Sequence, residues 1–111
     1  MKTVPAKKLV IYVDETDKVK GKPVYEIVMQ ICYRSKVSGV SVFRGVAGYG
    51  SDRVFHTAKI IELSTNLPIK IEAVDTEDRI TGVLPEIIAV VTKGLIEISD
   101  TTIIEPAAQR P

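Results

Sequence analysis

The chain has 111 residues, 45% of them hydrophobic and 26% charged, which is typical of one globular domain over residues 1–111. Its 15 basic and 14 acidic residues give a formal net charge of +1. This balance excludes the strong positive field by which proteins bind nucleic acid or an anionic membrane surface. The single cysteine, Cys32, excludes an intramolecular disulfide and a cysteine metal cluster. Apolar runs are far shorter than the roughly 20 residues that cross a bilayer, and no signal-peptide pattern is present, so we expect a cytoplasmic protein.

The first third of the chain predicts a strand followed by a helix. Residues from Lys8 to Val13 alternate apolar side chains between two faces, the period-2 pattern of a strand. A polar stretch then ends in Pro23, whose fixed φ suits the start of a helix. Apolar residues follow on one helical stripe: Val24, Ile27, Val28, Ile31 and Cys32. We predict a helix that stops before Gly39 and buries Cys32 in the core.

A second strand, from Val40 to Ala47, runs into a cluster of glycines. Gly45, Gly48 and Gly50 are close together, and glycine loses more conformational freedom on folding than any other residue. This spacing favours a positive φ or a close backbone approach. A backbone cradle for a phosphate or carboxylate and a simple bulged strand end are both compatible with it. The predicted loop from Gly48 to Thr57 contains the only histidine, and residues 58–63 form a short strand-like run.

The middle of the chain predicts a third strand and a second helix. A strand opens at Leu67-Pro68 and alternates apolar residues with Lys70 and Glu72. Asp75 and Thr76 are candidate N-caps. A helical apolar stripe then runs from Ile80 to Val91. Pro85 interrupts it, which predicts a kink or a regular helix shorter than the stripe.

The chain ends in a fourth predicted strand. Lys93-Gly94 terminates the second helix, and Leu95 to Ser99 has the alternating pattern of a strand that Ile103 and Ile104 would continue. Residues 105–111 are expected to be a flexible tail.

The order of elements predicts an α+β fold. Strand, helix, strand, strand, helix, strand is the βαββαβ pattern of the ferredoxin-like sandwich, with an antiparallel four-stranded sheet and two helices on one face. The other face is predicted to carry Val10, Tyr12, Val74 and Ile96, or the residues that alternate with them. Soluble monomers seldom expose such a face, so we expect self-association.

Several segments resemble the nitrogen-regulatory PII proteins. Gly39-Val40-Ser41-Val42, Gly48-Tyr49-Gly50 and the strand at residues 67–74 are similar to the second and third PII strands, and the intervening loop to the PII T-loop. A nearer resemblance is to an uncharacterised PII-like family of bacteria and archaea. The segments that carry it are Ile11-Tyr12-Val13, Glu15, Gly21-Lys22-Pro23, Phe43-Arg44-Gly45, His56-Thr57-Ala58 and Leu63-Ser64.

The resemblance implies a ferredoxin-like subunit, a homotrimer formed by packing sheet faces, and inter-subunit clefts that bind adenine nucleotides. It also implies genes that lie beside fluoride exporters, and therefore a regulatory role with a membrane transporter or another protein as target. No nucleic-acid partner and no required cofactor are expected. The charged residues at positions 14–22 are expected to be a solvated loop, with Glu15 and Lys22 as alternative lining of the cleft.

Binding residues follow from the same resemblance. Gly48, Tyr49 and Gly50 match the PII Gly-Phe-Gly whose backbone contacts nucleotide, and Glu72 matches a glutamate near the ligand. The PII Gly-Asp-Gly-Lys is reduced to Lys93-Gly94 and two arginines are missing, so AMP or ADP is expected rather than ATP. The predicted ligand-binding set is Arg44, Gly45, Gly48, Tyr49, Gly50, Arg53, Glu72, Lys93 and Gly94, with Ser51, Asp52 and His56 in the loop.

The favoured hypothesis is a trimeric signalling protein in which a nucleotide orders the loop from Ser51 to Thr57 and alters docking to a partner. One alternative is a small enzyme that uses His56 with Glu62 or Asp52 at the subunit interface. A second is a trimeric metal-binding protein. No nucleophile elbow, Walker loop or paired-ligand motif supports either alternative, so no catalytic or metal-ligating residue is assigned.

Overall fold

The structure, a computed structural model, describes residues 1–57 and 66–106. Its elements in chain order are β1 (Lys2–Asp14), β2 (Lys18–Val19), β3 (Lys22–Pro23), α1 (Val24–Arg34), β4 (Val40–Arg44), β5 (Ala47–Gly48), β6 (His56–Thr57), β7 (Pro68–Asp75), α2 (Glu77–Val90) and β8 (Leu95–Glu105). The long elements follow the predicted βαββαβ order. The strand-like run predicted at residues 58–63 lies outside the described residues.

The four long strands form one antiparallel sheet in the order β4-β7-β1-β8. Two-residue ladders pair β2 with β3 and β5 with β6. Both helices pack on the same face of the sheet and contribute to one core. The predicted ferredoxin-like α+β fold is therefore confirmed.

The core lies between the sheet and the two helices. Alternate residues of β1 point into it, and Ile11 at its centre is fully buried. From the helices, Val28 and Ile80 are also fully buried, as the stripes at helical spacing predict. Cys32 is buried here too, and burial raises the pKa of its thiol, so it is a core residue as predicted.

Strands β1 and β8 extend beyond their predicted bounds. Residues 2–6 pair with residues 101–105 as a two-stranded ribbon, in register from Lys2 with Glu105 to Ala6 with Thr101. Main-chain pairing continues although lysine, proline and threonine interrupt the apolar alternation. Glu105 is therefore the last residue of β8 and not the start of a loose tail. Residues 107–111 lie outside the described residues.

Two further elements, α2 and β4, differ from their predicted bounds. Helix α2 runs from Glu77 to Val90 with Pro85 inside it, so the proline does not end the helix. Pro85 is exposed, while Val83 and Ile87 on either side are buried and fix the helix to the core. Strand β4 ends at Arg44, three residues before the predicted Ala47, although the Gly45 N–H still donates to the Pro68 carbonyl oxygen of β7 (2.7 Å).

The face of the sheet without helices, called the open face below, carries Val10, Tyr12 and Val74 as predicted, but it does not carry Ile96. Ile96 pairs with Ile11, and residues directly opposite in an antiparallel ladder share a face, so Ile96 packs against the core. The open face is a mixture of apolar and charged side chains: Lys8, Val10, Tyr12, Phe43, Lys70, Glu72, Val74, Leu95 and Glu97. It is not the isoleucine- and valine-rich surface that the sequence predicts.

Candidate functional site

Nearly all the predicted binding residues gather at one end of the sheet. There β1 and β4 finish while β7 and β8 begin, as the pairings of Asp14 with Pro68 and Tyr12 with Leu95 show. The connections that leave this end are the hairpin β2–β3, residues 45–57 and residues 91–94. Glu72 is the exception, since it lies in the middle of β7.

Arg44 is held by an acidic partner at this end. Its Nε lies 2.6 Å from Glu15 Oε2 and its Nη2 lies 3.1 Å from Glu15 Oε1, a bidentate pair. Glu15 Oε1 also accepts the Leu67 N–H at 3.3 Å. The hydrogen bond from Arg44 lowers the pKa of Glu15, and the same bond raises the pKa of Arg44. Glu15 thus joins the ends of three strands, and much of the Arg44 charge is balanced within the chain.

The glycine cluster packs against Pro68. A Cβ on Gly45 would lie 2.7 Å from Pro68 Cγ, and one on Gly48 would lie 3.2 Å from the same atom. Neither glycine has a positive φ. The close approach predicted from the sequence is therefore found, but the neighbour is a proline of the same chain. A Cβ on Gly50 would meet nothing within 4 Å, so Gly50 faces open space.

The residues after the glycines form a hairpin with its own side-chain contacts. Gly48 pairs with His56 at its base. The rings of Tyr49 and Phe55 meet edge to face with centroids 5.1 Å apart, and the Arg53 guanidinium lies 6.0 Å from the Tyr49 centroid. Asp52 Oδ1 accepts the Val54 N–H (3.0 Å). Tyr49 and Phe55 are 58% and 77% exposed, so this hairpin presents aromatic surface to solvent.

His56 belongs to no metal-binding cluster in residues 1–57 and 66–106. It is half-buried in β6, and no group of three His, Cys, Asp or Glu side chains in these residues could hold a metal ion. Its proposed partner Glu62 lies outside the described residues.

Gly94 and Lys93 lie where α2 connects to β8. Gly94 has a φ of +121°, and a Cβ there would be 2.2 Å from the Tyr12 carbonyl oxygen, so the fold itself requires glycine. Lys93 lines a cavity of about 220 Å³. The remaining lining residues are Thr16, Asp17, Lys18, Val19, Val24, Val90 and Thr92.

Glu72 is separated from the other predicted binding residues. It lies on the open face, whereas Arg44, opposite Ile69, lies on the helix side. Glu72 Oε2 is 3.1 Å from Lys70 Nζ and 3.6 Å from Lys8 Nζ. The hydrogen bond from Lys70 is the main cause of its lowered pKa. Within one chain the structure does not bring Glu72 to the glycine hairpin.

Sequence reasoning missed three contributors to this end of the sheet. Glu15 was assigned mainly to a solvated loop, Pro68 only to a strand start, and Phe55 was not singled out. Glu15 is 29 positions from Arg44. No local pattern reports such a pairing, although an arginine at the end of an apolar strand was a signal that some acid must be nearby.

Comparison with known proteins identifies the family. The model of the DUF190 family, described as "Uncharacterized ACR", matches residues 6–103. The chain belongs to the DUF190 family. A UPF0166 protein of Methanocaldococcus jannaschii is 43% identical over 98 residues, covering 87% of this chain and 90% of the relative. A UPF0166 protein of Aquifex aeolicus is 33% identical over 104 residues, covering 94% and 98%.

Solved structures with the same fold are PII-like. CPII from Thiomonas intermedia K12, a nitrogen regulatory PII-like protein bound to ADP, AMP and bicarbonate, has a TM-score of 0.66 at 22% identity, with 92% of this chain and 91% of that chain covered. A putative PII-like signalling protein from Thermus thermophilus has a TM-score of 0.62 at 13% identity, covering 93% and 91%. The DUF190 chain therefore has a PII-like fold, as the sequence resemblance implied. No helix among the described residues is both long and apolar enough to cross a membrane.

Proposed function

We propose that this DUF190 protein is a cytoplasmic PII-like regulator that binds AMP or ADP in clefts between the subunits of a homotrimer. The observation that carries the proposal is the glycine hairpin, which is rooted on Pro68 and which the sequence resemblance likens to the base of the PII T-loop. A solved neighbour with this fold, CPII, is bound to ADP and AMP. We expect a binding and signalling role, not catalysis.

The distribution of the predicted residues favours a cleft between copies. Arg44 and Glu72 lie on opposite faces of the sheet, so one chain cannot place both around one ligand. Tyr49 and Phe55 present exposed rings at the sheet end, and an adenine base stacks well on such rings. A second copy packed on the open face would bring its own residues beside this hairpin and complete the site.

The charge of the site favours a ligand with one or two phosphates. Arg44 is already paired with Glu15, and Arg53 packs against Tyr49. Lys93 forms an ion pair with no acidic residue in the part of the chain the structure describes, so its charge is available to a ligand. Three phosphates would need more compensating charge than these residues offer.

The hairpin at residues 45–57 is the proposed docking element. Val46, Tyr49, Val54 and Phe55 are all more than half exposed, and clustered exposed apolar side chains are typical of interaction sites. A nucleotide that contacts Tyr49 or Gly50 would change the hairpin and thus its docking to a transporter or another protein.

Calorimetric titration with AMP, ADP and ATP, with native mass measured in parallel, tests the proposal. We expect one nucleotide per subunit of a trimer, with ATP the weakest. Gly50→Ala is the informative variant, because its Cβ meets no neighbour within 4 Å and leaves the fold intact. We expect about tenfold weaker AMP binding, equivalent to about 1.4 kcal/mol.

Gly39→Ala is the matched control, since its Cβ also meets nothing within 4 Å and it precedes β4 at the other end of the strand. It should bind AMP as the wild type does. Absence of binding by all three nucleotides at millimolar concentration would refute the nucleotide proposal, and a monomer by native mass would refute the inter-subunit site.

A further inference from the structure

The cavity beside the hairpin β2–β3 has a lining suited to one end of a charged ligand. Thr16 to Val19 form one wall, and Val90, Thr92 and Lys93 form the other. Val24 is buried, and Val19 and Val90 are half-buried, whereas Lys18, Thr92 and Lys93 are at least partly open to solvent. The cavity is thus apolar at depth and polar at its mouth. The segment that contains this hairpin was expected to be a solvated loop, with Glu15 and Lys22 as the alternative lining of a cleft.

Two basic residues at this mouth have no acidic partner among the described residues. Lys18 and Lys93 form no ion pair with any residue in 1–57 or 66–106, yet they line the same cavity. Ammonium groups on two side chains that line one cavity repel each other, and an anion bound between them would offset that repulsion. Among the described residues, six other basic residues each form an ion pair: Lys7, Lys8, Arg34, Arg44, Lys70 and Arg79. Lys2, Lys20, Lys22, Lys36 and Arg53 form none there, but they do not line this cavity, so the distinguishing feature of Lys18 and Lys93 is that they share it.

Two other polar side chains that line the cavity already form hydrogen bonds within the chain. Asp17, the acidic residue of the lining, accepts the Asp14 N–H through Oδ2 at 3.2 Å. The Thr16 hydroxyl donates to Asn66 Oδ1 at 3.0 Å. The two lysines and the Thr92 hydroxyl are therefore the donors that a ligand would meet, and they suit a phosphate.

We infer that this cavity binds the phosphate end of the nucleotide, with Lys18 and Lys93 on either side of it. This inference rests on the proposed function and adds Lys18 and the hairpin β2–β3 to the binding residues. At about 220 Å³ the cavity is smaller than the roughly 300–1,000 Å³ of pockets that enclose a whole small-molecule ligand. It therefore takes the phosphate end, and the adenosine lies outside it.

Titration of AMP, adenosine and inorganic pyrophosphate into wild type, Lys18→Ala and Lys93→Ala tests the inference. Hydrogen bonds to charged groups are among the strong ones in proteins, so each variant should bind AMP at least about tenfold more weakly. Adenosine, which lacks the phosphate, should bind all the proteins equally. Lys20→Ala is the matched control, because Lys20 is an exposed lysine of the same hairpin that does not line the cavity.

The outcomes separate this inference from the proposed function. Equal AMP affinity in wild type and both variants would overturn the inference and leave the nucleotide regulator standing, as would an equal loss in Lys20→Ala. Binding of pyrophosphate but not of AMP, with the loss confined to Lys18→Ala and Lys93→Ala, would support the phosphate site and refute the nucleotide. Absence of binding by AMP and pyrophosphate would overturn both.

Discussion

The two faces of the sheet are built from alternate residues of the same strands, but they accommodate charged side chains in opposite ways. On the covered face, Leu9, Ile11 and Ile71 are buried under the helices. On the open face, Lys8 and Lys70 flank Glu72 from neighbouring positions of the sheet. The covered face excludes most charged side chains because it is packed under the helices. The open face retains Lys8, Lys70 and Glu72 because they form ion pairs with one another across the sheet surface.

The difference shows how a sheet face that no helix covers remains compatible with solvent. Lys70 lies over the Phe43 ring at 5.8 Å while it binds Glu72 at 3.1 Å, so its alkyl chain covers aromatic surface and its ammonium stays paired. Val10 is only 8% exposed although no helix covers it, because longer side chains flank it. In the proposed trimer, a mixed face of this kind would meet the same alternation of charged and apolar side chains on a second copy.

The largest expected effect is the loss of a covered side chain. Ile11→Ala should lower the free energy of unfolding by about 3–4 kcal/mol, because it opens a cavity among fully buried neighbours. Val10→Ala, the adjacent residue on the open face, should cost about 1 kcal/mol, since neighbouring side chains and water can fill the space. Urea denaturation of both variants at one protein concentration measures the contrast. Equal losses, after allowance for the extra carbon removed from Ile11, would contradict it.

Two acids of β7 give the next contrast, because Asp75 lies on the covered face and Glu72 on the open face. Asp75 is 4% exposed and accepts the Ser38 N–H (2.8 Å), the Ser38 hydroxyl (2.9 Å) and the Thr76 N–H (2.7 Å). Asp75→Asn should cost about 1–2 kcal/mol at pH 7, because an amide is a weaker acceptor in a buried position. Glu72→Gln should leave the free energy of unfolding unchanged within error, because its partners stay solvated. Urea denaturation at pH 7 compares the two, and equal losses would contradict the contrast.

The pH dependence of the Asp75 contribution has a definite sign. Burial is the largest single influence and raises the pKa of Asp75, but the hydrogen bonds from Thr76 and Ser38 and the charge of Arg79 together hold it below the ordinary 3.8. A depressed pKa in the folded state stabilises the fold above the unfolded value and ceases to do so as the pH falls through the folded value. The difference between wild type and Asp75→Asn should therefore shrink below about pH 4. A constant difference from neutral pH down to strongly acidic pH would contradict this account.

The covered face was the part of the fold that the sequence predicted well. Periodicity in β1, α1 and α2 is local, and each stripe identifies its own buried side. The face of Ile96 was wrong because it depends on the register between β1 and β8, which are far apart in the chain. The ribbon at residues 2–6 and 101–105 was missed because main-chain pairing holds it where the apolar alternation is broken.

The candidate site also has some features that the sequence predicted and others that depend on the tertiary fold. The sequence located the glycine cluster, but the reason for Gly45 and Gly48 is the ring of Pro68 in a later strand. The pairing of Arg44 with Glu15 and the convergence of Lys18 with Lys93 also need the tertiary fold. Of the two candidate N-caps, Thr76 occupies the N-cap position without a side-chain bond, and Asp75 instead accepts the Ser38 N–H and fixes that turn.

The smallest expected effect on unfolding, and the most direct test of the open face, comes from Tyr12. Tyr12 is 39% exposed beside Lys70 and Leu95, whereas Tyr33 on α1 is 83% exposed and belongs to neither face. If the open face joins copies in the proposed trimer, Tyr12→Ser removes apolar area from that interface and Tyr33→Ser does not. Native mass across a dilution series should show Tyr12→Ser dissociating at higher protein concentration than wild type, with Tyr33→Ser unchanged. Identical dissociation of all three proteins would show that the copies meet elsewhere, and the mixed charge of the open face would then serve only to keep it solvated.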